Sequence, residues 1–222
     1  MKLPNFKYVY VDDHVLQKMK GKSVFHLGCV GDVLKKGPKA CVHLKISKVA
    51  DVLWGIDIDP SDLDKVRAWL PEDRDRIHYL CANVESLQDL QIDRKFEVIF
   101  VGSIIEHLSN PGLMLSGLRG LLLPDGVIII VTPNPSGLSH FLKVALRRKE
   151  SINSQHSCWF SVAVLTELCS RYGLVPVEWN TGYGYRRPSL KVSVERISGV
   201  AFFKVFPHLG GNLIGLFQLT QC

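Results

Sequence analysis

The sequence predicts an α/β fold, a mostly parallel sheet with helices on both faces. Three observations carry this. Five short apolar runs recur along the chain, "SVFHLG" (23–28), "VLWGID" (52–57), "IHYLCA" (77–82), "FEVIFVG" (96–102) and "GVIIIVT" (126–132). Helical patterns separate them, which is the order of βαβ units. The runs are apolar almost throughout, as strands covered on both faces must be.

The helices have clear punctuation. Ser61, with Asp64 three residues on, reads as a capping box ahead of Leu63, Val66 and Leu70 on one face. Asn110-Pro111 reads as an N-cap and first helical residue leading into Leu115, Leu118 and Leu122. Pro124-Asp125-Gly126 turns the chain into the fifth strand. Ser161 caps a helix through Leu165, Leu168 and Tyr172 that stops at Gly173. Two further strands follow, 174–181 and 212–220, with a basic insert at 186–208 between them. Residues 1–20 read as an N-terminal extension and 21–222 as a single domain.

Composition narrows the class. A chain of 222 residues that is 46% hydrophobic and 22% charged suits one well-buried domain. Its first twenty residues carry Lys2, Lys7, Lys18 and Lys20 and no apolar core of the secretory type. The longest apolar stretch, "GVAFFKVFPHLGGNLIGLF", is broken by Lys204, Pro207 and His208, so no transmembrane segment is expected and the reading is cytoplasmic. The six cysteines form no C-x-x-C pair, which argues against zinc and a disulfide framework. A net charge of +6 suits an acidic substrate or peripheral contact with a membrane surface. Bases cluster at Lys35, Lys36 and Lys39, at Arg147, Arg148 and Lys149, and at Arg186 and Arg187. No aromatic-basic motif accompanies them, so nucleic acid is not an expected partner.

Open parallel sheets bind ligands beyond the carboxyl ends of their strands. Those ends read Gly28-Cys29-Val30-Gly31-Asp32, Asp57-Ile58-Asp59, Asn83-Val84-Glu85 and Gly102-Ser103-Ile104-Ile105-Glu106-His107. For a nucleoside ligand each has a task. Gly28 and Gly31 admit close backbone approach, and Asp57 can accept from ribose hydroxyls. Asn83 offers an amide to an adenine edge, while Ile58 and Val84 can sandwich the ring.

These segments, in this order, resemble the class I S-adenosylmethionine-dependent methyltransferases. The resemblance rests on "HLGCVGD", "WGIDIDP", "ANVESL", "FEVIFVGSIIEHLSNP", "LLPDGVIIIVTPN" and "HSCWFSVAVLTELCSRYGLVPVEW", about residues 22–181. It implies a Rossmann-like seven-stranded sheet in the order 3-2-1-4-5-7-6 with the last strand antiparallel. It also implies S-adenosylmethionine as cofactor, held around Gly28, Cys29, Gly31, Asp57, Ile58, Asn83, Val84, Glu85, Gly102 and Ser103. Three positions depart from the family pattern. His26 stands where an acid is usual, Val30 where a glycine is usual, and the loop 31–39 is long, so the next helix is expected near Ala40.

Glu106-His107 resembles the end of the E-x-x-E-H cluster of ubiquinone-type O-methyltransferases. Ser103 replaces the first acid, so no metal is expected there, and His107 reads either as a general base or as a packed histidine. His156 precedes Cys158-Trp159-Phe160 and reads either as a group over the substrate or as a loop surface residue, with Trp159 and Phe160 as core anchors. The reading favoured is methyl transfer to an oxygen of a small or glycan/lipid-type, anionic acceptor. Its alternative is a non-catalytic binding or scaffold protein with an altered cofactor loop. A nicotinamide oxidoreductase would call for G-x-G-x-x-G where this chain has G-C-V-G-D-V.

Overall fold

The computed structural model describes residues 3–31, 37–147, 153–182 and 201–220. Lys35, Lys36, Arg148, Lys149, Arg186, Arg187 and most of the 186–208 insert lie outside the described residues. In chain order the main elements are β1 (Lys7–Val9), α1 (Val11–Met19), β2 (Ser23–Leu27), α2 (Val42–Ile46), β3 (Val52–Asp57), α3 (Pro60–Trp69) and β4 (Ile77–Cys81). They continue with β5 (Phe96–Gly102), α4 (Pro111–Leu121), β6 (Leu122–Pro133), α5 (Leu138–Arg147), α6 (Val162–Ser170), β7 (Leu174–Gly182) and β8 (Asn212–Leu219). No helix among the described residues is long and apolar enough to cross a membrane.

The strands form one sheet in the order β1-β7-β8-β6-β5-β2-β3-β4. From β2 onward this is the expected topology, and β8 runs antiparallel to both β6 and β7. The expected count of seven is corrected to eight. Lys7–Val9, inside the N-terminal extension, pairs in parallel with Asn180–Gly182 and covers the β7 edge. An uncovered edge would leave a row of unpaired N–H and C=O groups. Three residues carry too little periodicity for that strand to show in the sequence.

Side-chain alternation divides the core into two layers. Phe25 and Leu27 of β2, Ile99 and Val101 of β5, and Ile128 and Ile130 of β6 pack on one face with α4 and α6. Val24, Val98, Phe100, Ile129 and Val131 pack on the other with α1, α2 and α3. The extension contributes Val11, Val15 and Met19 to that second layer.

Helix starts follow local chemistry, with one shift. The α3 cap is Asp59, whose carboxylate accepts from the Asp62 amide at 3.1 Å, and Pro60 takes the first helical position. The expected cap, Ser61, lies inside the first turn. Ser161 caps α6 as expected, accepting from Val164 N–H at 3.3 Å. Pro38–Ala40 forms a 3₁₀ turn and α2 follows at Val42, close to the start expected near Ala40.

His26 turns out to belong to the core. Its Nδ1 lies 3.1 Å from Nδ1 of His43 on α2, with both rings buried. One ring must donate while the other accepts, so both are neutral in complementary tautomers. The space exists because β3 presents Gly55 opposite His26, where a Cβ would come within 2.7 Å of the His43 ring. Burial holds the His43 imidazole down to about 3 and depresses His26 well below its ordinary range, with His43 adding to the effect on His26.

Unfolded histidines titrate near 6.5, so below that pH the unfolded chain binds protons that the folded pair refuses. Stability is therefore expected to be full above about pH 6.5 and to fall by up to about 1.4 kcal/mol per pH unit for each ring as the pH drops further. Urea denaturation across that range checks it. The double substitution His26→Leu, His43→Leu should flatten the profile, and an unchanged slope would acquit the pair.

Candidate active site

The carboxyl ends of β2, β3, β4, β5 and β6 meet along one edge of the sheet, and the candidate residues lie there. The turn after β2 is tied to β3. The N–H groups of Gly28 and Cys29 both donate to the Ile56 carbonyl, at 2.9 and 3.1 Å. Val30 N–H donates to Asp57 Oδ2 at 3.1 Å, and Asp59 N–H to Asp57 Oδ1 at 3.3 Å. Gly28 and Gly31 adopt φ of +67° and +52°, a region that costs other residues dearly. Val30, between them, packs its side chain into the core while its amide binds Asp57.

Asp57 thus has a structural task, and each oxygen retains lone-pair capacity for a further donor. Burial pushes its carboxyl up, opposed by the amides that bind it. Cys29 is buried beneath the turn, its thiol pushed up by burial, so it serves the site as packing.

Beyond β4, Asn83 caps a 3₁₀ turn, its side chain accepting from Glu85 N–H at 2.9 Å. Glu85 in turn accepts from the Asn110 amide, which positions the start of α4. Ile58 is 66% exposed at the end of β3, an apolar face open to a ligand. Val84, the other residue expected against an adenine, is buried in the core, 4% exposed. Sequence alternation does not separate these two residues, since each follows a strand end.

Past β5 the chain turns sharply. Ser103 takes φ +53°, unusual for a residue with a Cβ, and its amide donates to the Val131 carbonyl at 2.8 Å. Ile104 then lies against the glycine turn, where a Cβ on Gly28 would meet its Cδ1 at 2.9 Å. Glu106 is 1% exposed and accepts from the Thr132 hydroxyl at 3.1 Å. Burial pushes its carboxyl up to about 7.

His107 and His156 stand edge to face, with ring centroids 4.6 Å apart. Their contact across 49 residues has a visible cause. The amides of Ser157 and Cys158 donate to the Glu106 carbonyl at 2.9 and 3.2 Å, and the Ser157 hydroxyl to Leu108 O at 2.6 Å. Burial lowers the His156 imidazole, with His107 and His140 adding to the effect. Ligand atoms of Glu106, His107 and His156 all lie within 4.8 Å of one another, so His156 brings in space the third group that Ser103 fails to supply in sequence. Phe160 is a core anchor as expected, whereas Trp159 is only half-buried and meets the His140 ring at 5.2 Å. Thr132 was missed as a site residue. Its signal was present in the "TPN" that ends β6.

A methyltransferase-domain family matches residues 20–178. A ubiquinone biosynthesis O-methyltransferase of Neisseria meningitidis serogroup C is 26% identical over 172 residues, 74% of this chain and 68% of that protein. One from Haemophilus ducreyi is 27% identical over 130 residues, 56% of this chain and half of that protein. The N-methyltransferase NodS of Bradyrhizobium japonicum, solved with S-adenosyl-L-homocysteine, superposes with a TM-score of 0.56 at 13% identity, covering 94% of this chain and 85% of that one.

Gly28→Ala is expected to destabilise the chain by about 1–3 kcal/mol, through positive φ and the Ile104 contact together. Adding Ile104→Ala should recover only the part due to contact. A double-mutant cycle by chemical denaturation separates the two, and full additivity would show that Ile104 does not confine the turn.

Proposed function

Because the chain belongs to the methyltransferase-domain family, which matches residues 20–178, we propose that it moves the methyl group of S-adenosylmethionine to a hydroxyl of a small or lipid-type acceptor. S-adenosylmethionine is its cofactor, and when bound it supplies a methyl group on a sulfonium, open to in-line displacement. The single observation that carries the hydroxyl reading is the His107–His156 pair, its ring centroids held 4.6 Å apart. The ubiquinone-type relatives support it at low identity.

The chain's own groups take these roles. Gly28, Cys29 and Gly31 shape the turn against the methionine end, where the positive φ at the two glycines leaves no Cβ in the way. Gly102 and Ser103 close the end of β5 beside it. Asp57 accepts from the ribose, while Asn83 and Ile58 meet the adenine edge and face. Val84 and Glu85 act one step back, through the core and through the Asn110 amide.

A hydroxyl is a weak nucleophile near neutral pH, so its proton should leave as the oxygen–carbon bond forms. His107 accepts that proton. His156, kept neutral near pH 7 by its lowered affinity for protons, positions the acceptor by a hydrogen bond. Burial raises the Glu106 carboxyl to about 7, so near neutral pH it brings less negative charge to the pair than an exposed carboxylate would. Holding oxygen, methyl and base in line provides much of the rate by itself. The net charge of +6 favours an acceptor that carries negative charge.

His107→Ala should lower turnover roughly 10²–10⁴-fold with S-adenosylhomocysteine affinity unchanged, and His156→Ala should act mainly on acceptor KM. Steady-state kinetics with calorimetric titration of both variants decides the assignment. Normal turnover in His107→Ala would place the base elsewhere. Asp57→Ala should weaken S-adenosylhomocysteine binding by about 1.5–3 kcal/mol in the same titration. Absence of binding heat in the wild-type chain would favour the scaffold alternative. Turnover should survive a chelator. A loss restored by magnesium would make Glu106, His107 and His156 metal ligands instead.

A further inference from the structure

Three side-chain nitrogens near the histidine pair are buried without a hydrogen-bond partner among the described residues. They are Nδ1 of His140, Nδ1 of His156 and Nε1 of Trp159. Buried polar groups are nearly always satisfied, because an orphan loses its hydration and gains nothing in exchange. The roles assigned above place His156 against the acceptor and leave His140 and Trp159 without a task.

Two backbone anchors bring these residues to one junction. Asn134 Oδ1 accepts from the Ser136 amide at 3.0 Å, and Gly137 O from the amides of His140 and Phe141, at 3.0 and 3.2 Å. These bonds set His140 in the first turn of α5. On the other side, the Glu106 carbonyl holds the amides of Ser157 and Cys158, which lie between His156 and Trp159. The His140 and Trp159 rings then meet edge to face at 5.2 Å, as the His156 and His107 rings do at 4.6 Å. Burial, then His107 and His140, lower the His156 imidazole, so the imidazoles feel one another across the junction.

The missing partner is a hydrogen-bond acceptor. An indole N–H donates and never accepts, and a neutral imidazole can present Nδ1–H in the same way. An oxygen group with several lone pairs satisfies such a set, and a carboxylate offers about four sites. Charge agrees with it. Burial lowers the His140 imidazole and Lys143 adds to the effect, which puts His140 in a positive field that favours an anion. Glu106, within 4.8 Å of a ligand nitrogen of His156, is pushed up to about 7 by burial, so it opposes an anion less than an exposed carboxylate would.

We propose that His140, Trp159 and His156 recognise a carboxylate on the methyl acceptor, whose hydroxyl is held beside His107. The inference rests on the methyl-transfer reading above and goes beyond it by naming the group that selects the acceptor. Trp159 donates through Nε1 and the two imidazoles through Nδ1. The three nitrogens are closed to solvent while their residues are only half-buried, so the rings part slightly to admit the carboxylate.

The probe is benzoate, with benzyl alcohol as its uncharged counterpart, titrated into the whole chain with and without S-adenosylhomocysteine. Calorimetry follows binding, and NMR follows the indole N–H resonances, with that of Trp159 assigned from Trp159→Phe. Benzoate should move the Trp159 resonance downfield, as a new hydrogen bond to a carboxylate does, and bind about ten-fold or more tighter than benzyl alcohol. Trp159→Phe and His140→Leu should each weaken benzoate about ten-fold and leave S-adenosylhomocysteine affinity unchanged. His140→Gln, which keeps a donor, should recover most of that loss, whereas a purely structural role would not favour the amide. Thermal unfolding identifies any variant that fails to fold, and the wild-type indole shift then decides by itself.

Three results would overturn the proposal. The Trp159 resonance could stay in place under benzoate in a chain that has bound S-adenosylhomocysteine. Benzoate and benzyl alcohol could bind alike, or the folded variants could bind benzoate as the wild type does. A wild type that takes benzoate as expected and no S-adenosylhomocysteine would count against the methyl-transfer reading and leave the carboxylate site standing.

Discussion

Strands β2, β5 and β6 have no open face, because apolar side chains from both layers cover them from Val24 to Leu27, Val98 to Val101 and Ile128 to Val131. Within such a sheet polar backbone is satisfied only by neighbouring strands, so chemistry can occur only where the strands stop. The whole site follows from this. The glycine turn after β2 depends on β3 for its hydrogen bonds, through Ile56 and Asp57, and the turn after β5 depends on β6 through the Val131 carbonyl. Moving any of these strands by one residue would carry its loop away from the others.

Two polar groups are buried near this edge, and they behave differently. The His26–His43 pair shares one hydrogen bond between its Nδ1 atoms, while His43 Nε2 is buried without a partner. Glu106 accepts from the Thr132 hydroxyl and stands within 4.8 Å of ligand atoms of His107 and His156, and burial raises its carboxyl to about 7. One group stiffens the scaffold and the other sets the electrostatics under the histidine pair.

The histidine pair itself comes from distant parts of the chain. The backbone amides of 157 and 158 close on the Glu106 carbonyl, and the rings follow from that closure. The same segment reaches α5 through the Trp159–His140 ring contact at 5.2 Å.

Fold class, the α6 cap and the residues that end the strands could be read from the sequence, because apolar runs and capping residues act over a few neighbours, whereas the strand order came only from the resemblance to the methyltransferases. The eighth strand could not, since Lys7–Val9 is too short for a pattern and exists only because β7 offers an unpaired edge. Nor could the difference between Ile58 and Val84, one exposed and the other buried, which depends on what packs against each. Ser103 reads as a missing ligand in sequence, yet in space His156 takes the vacant place beside Glu106 and His107. His26 reads as a defect in a cofactor loop until His43 is found against it, across a gap that Gly55 leaves open. Local signals act through bonds between near neighbours in the chain, whereas these outcomes depend on which distant surfaces meet when the two layers close on the sheet.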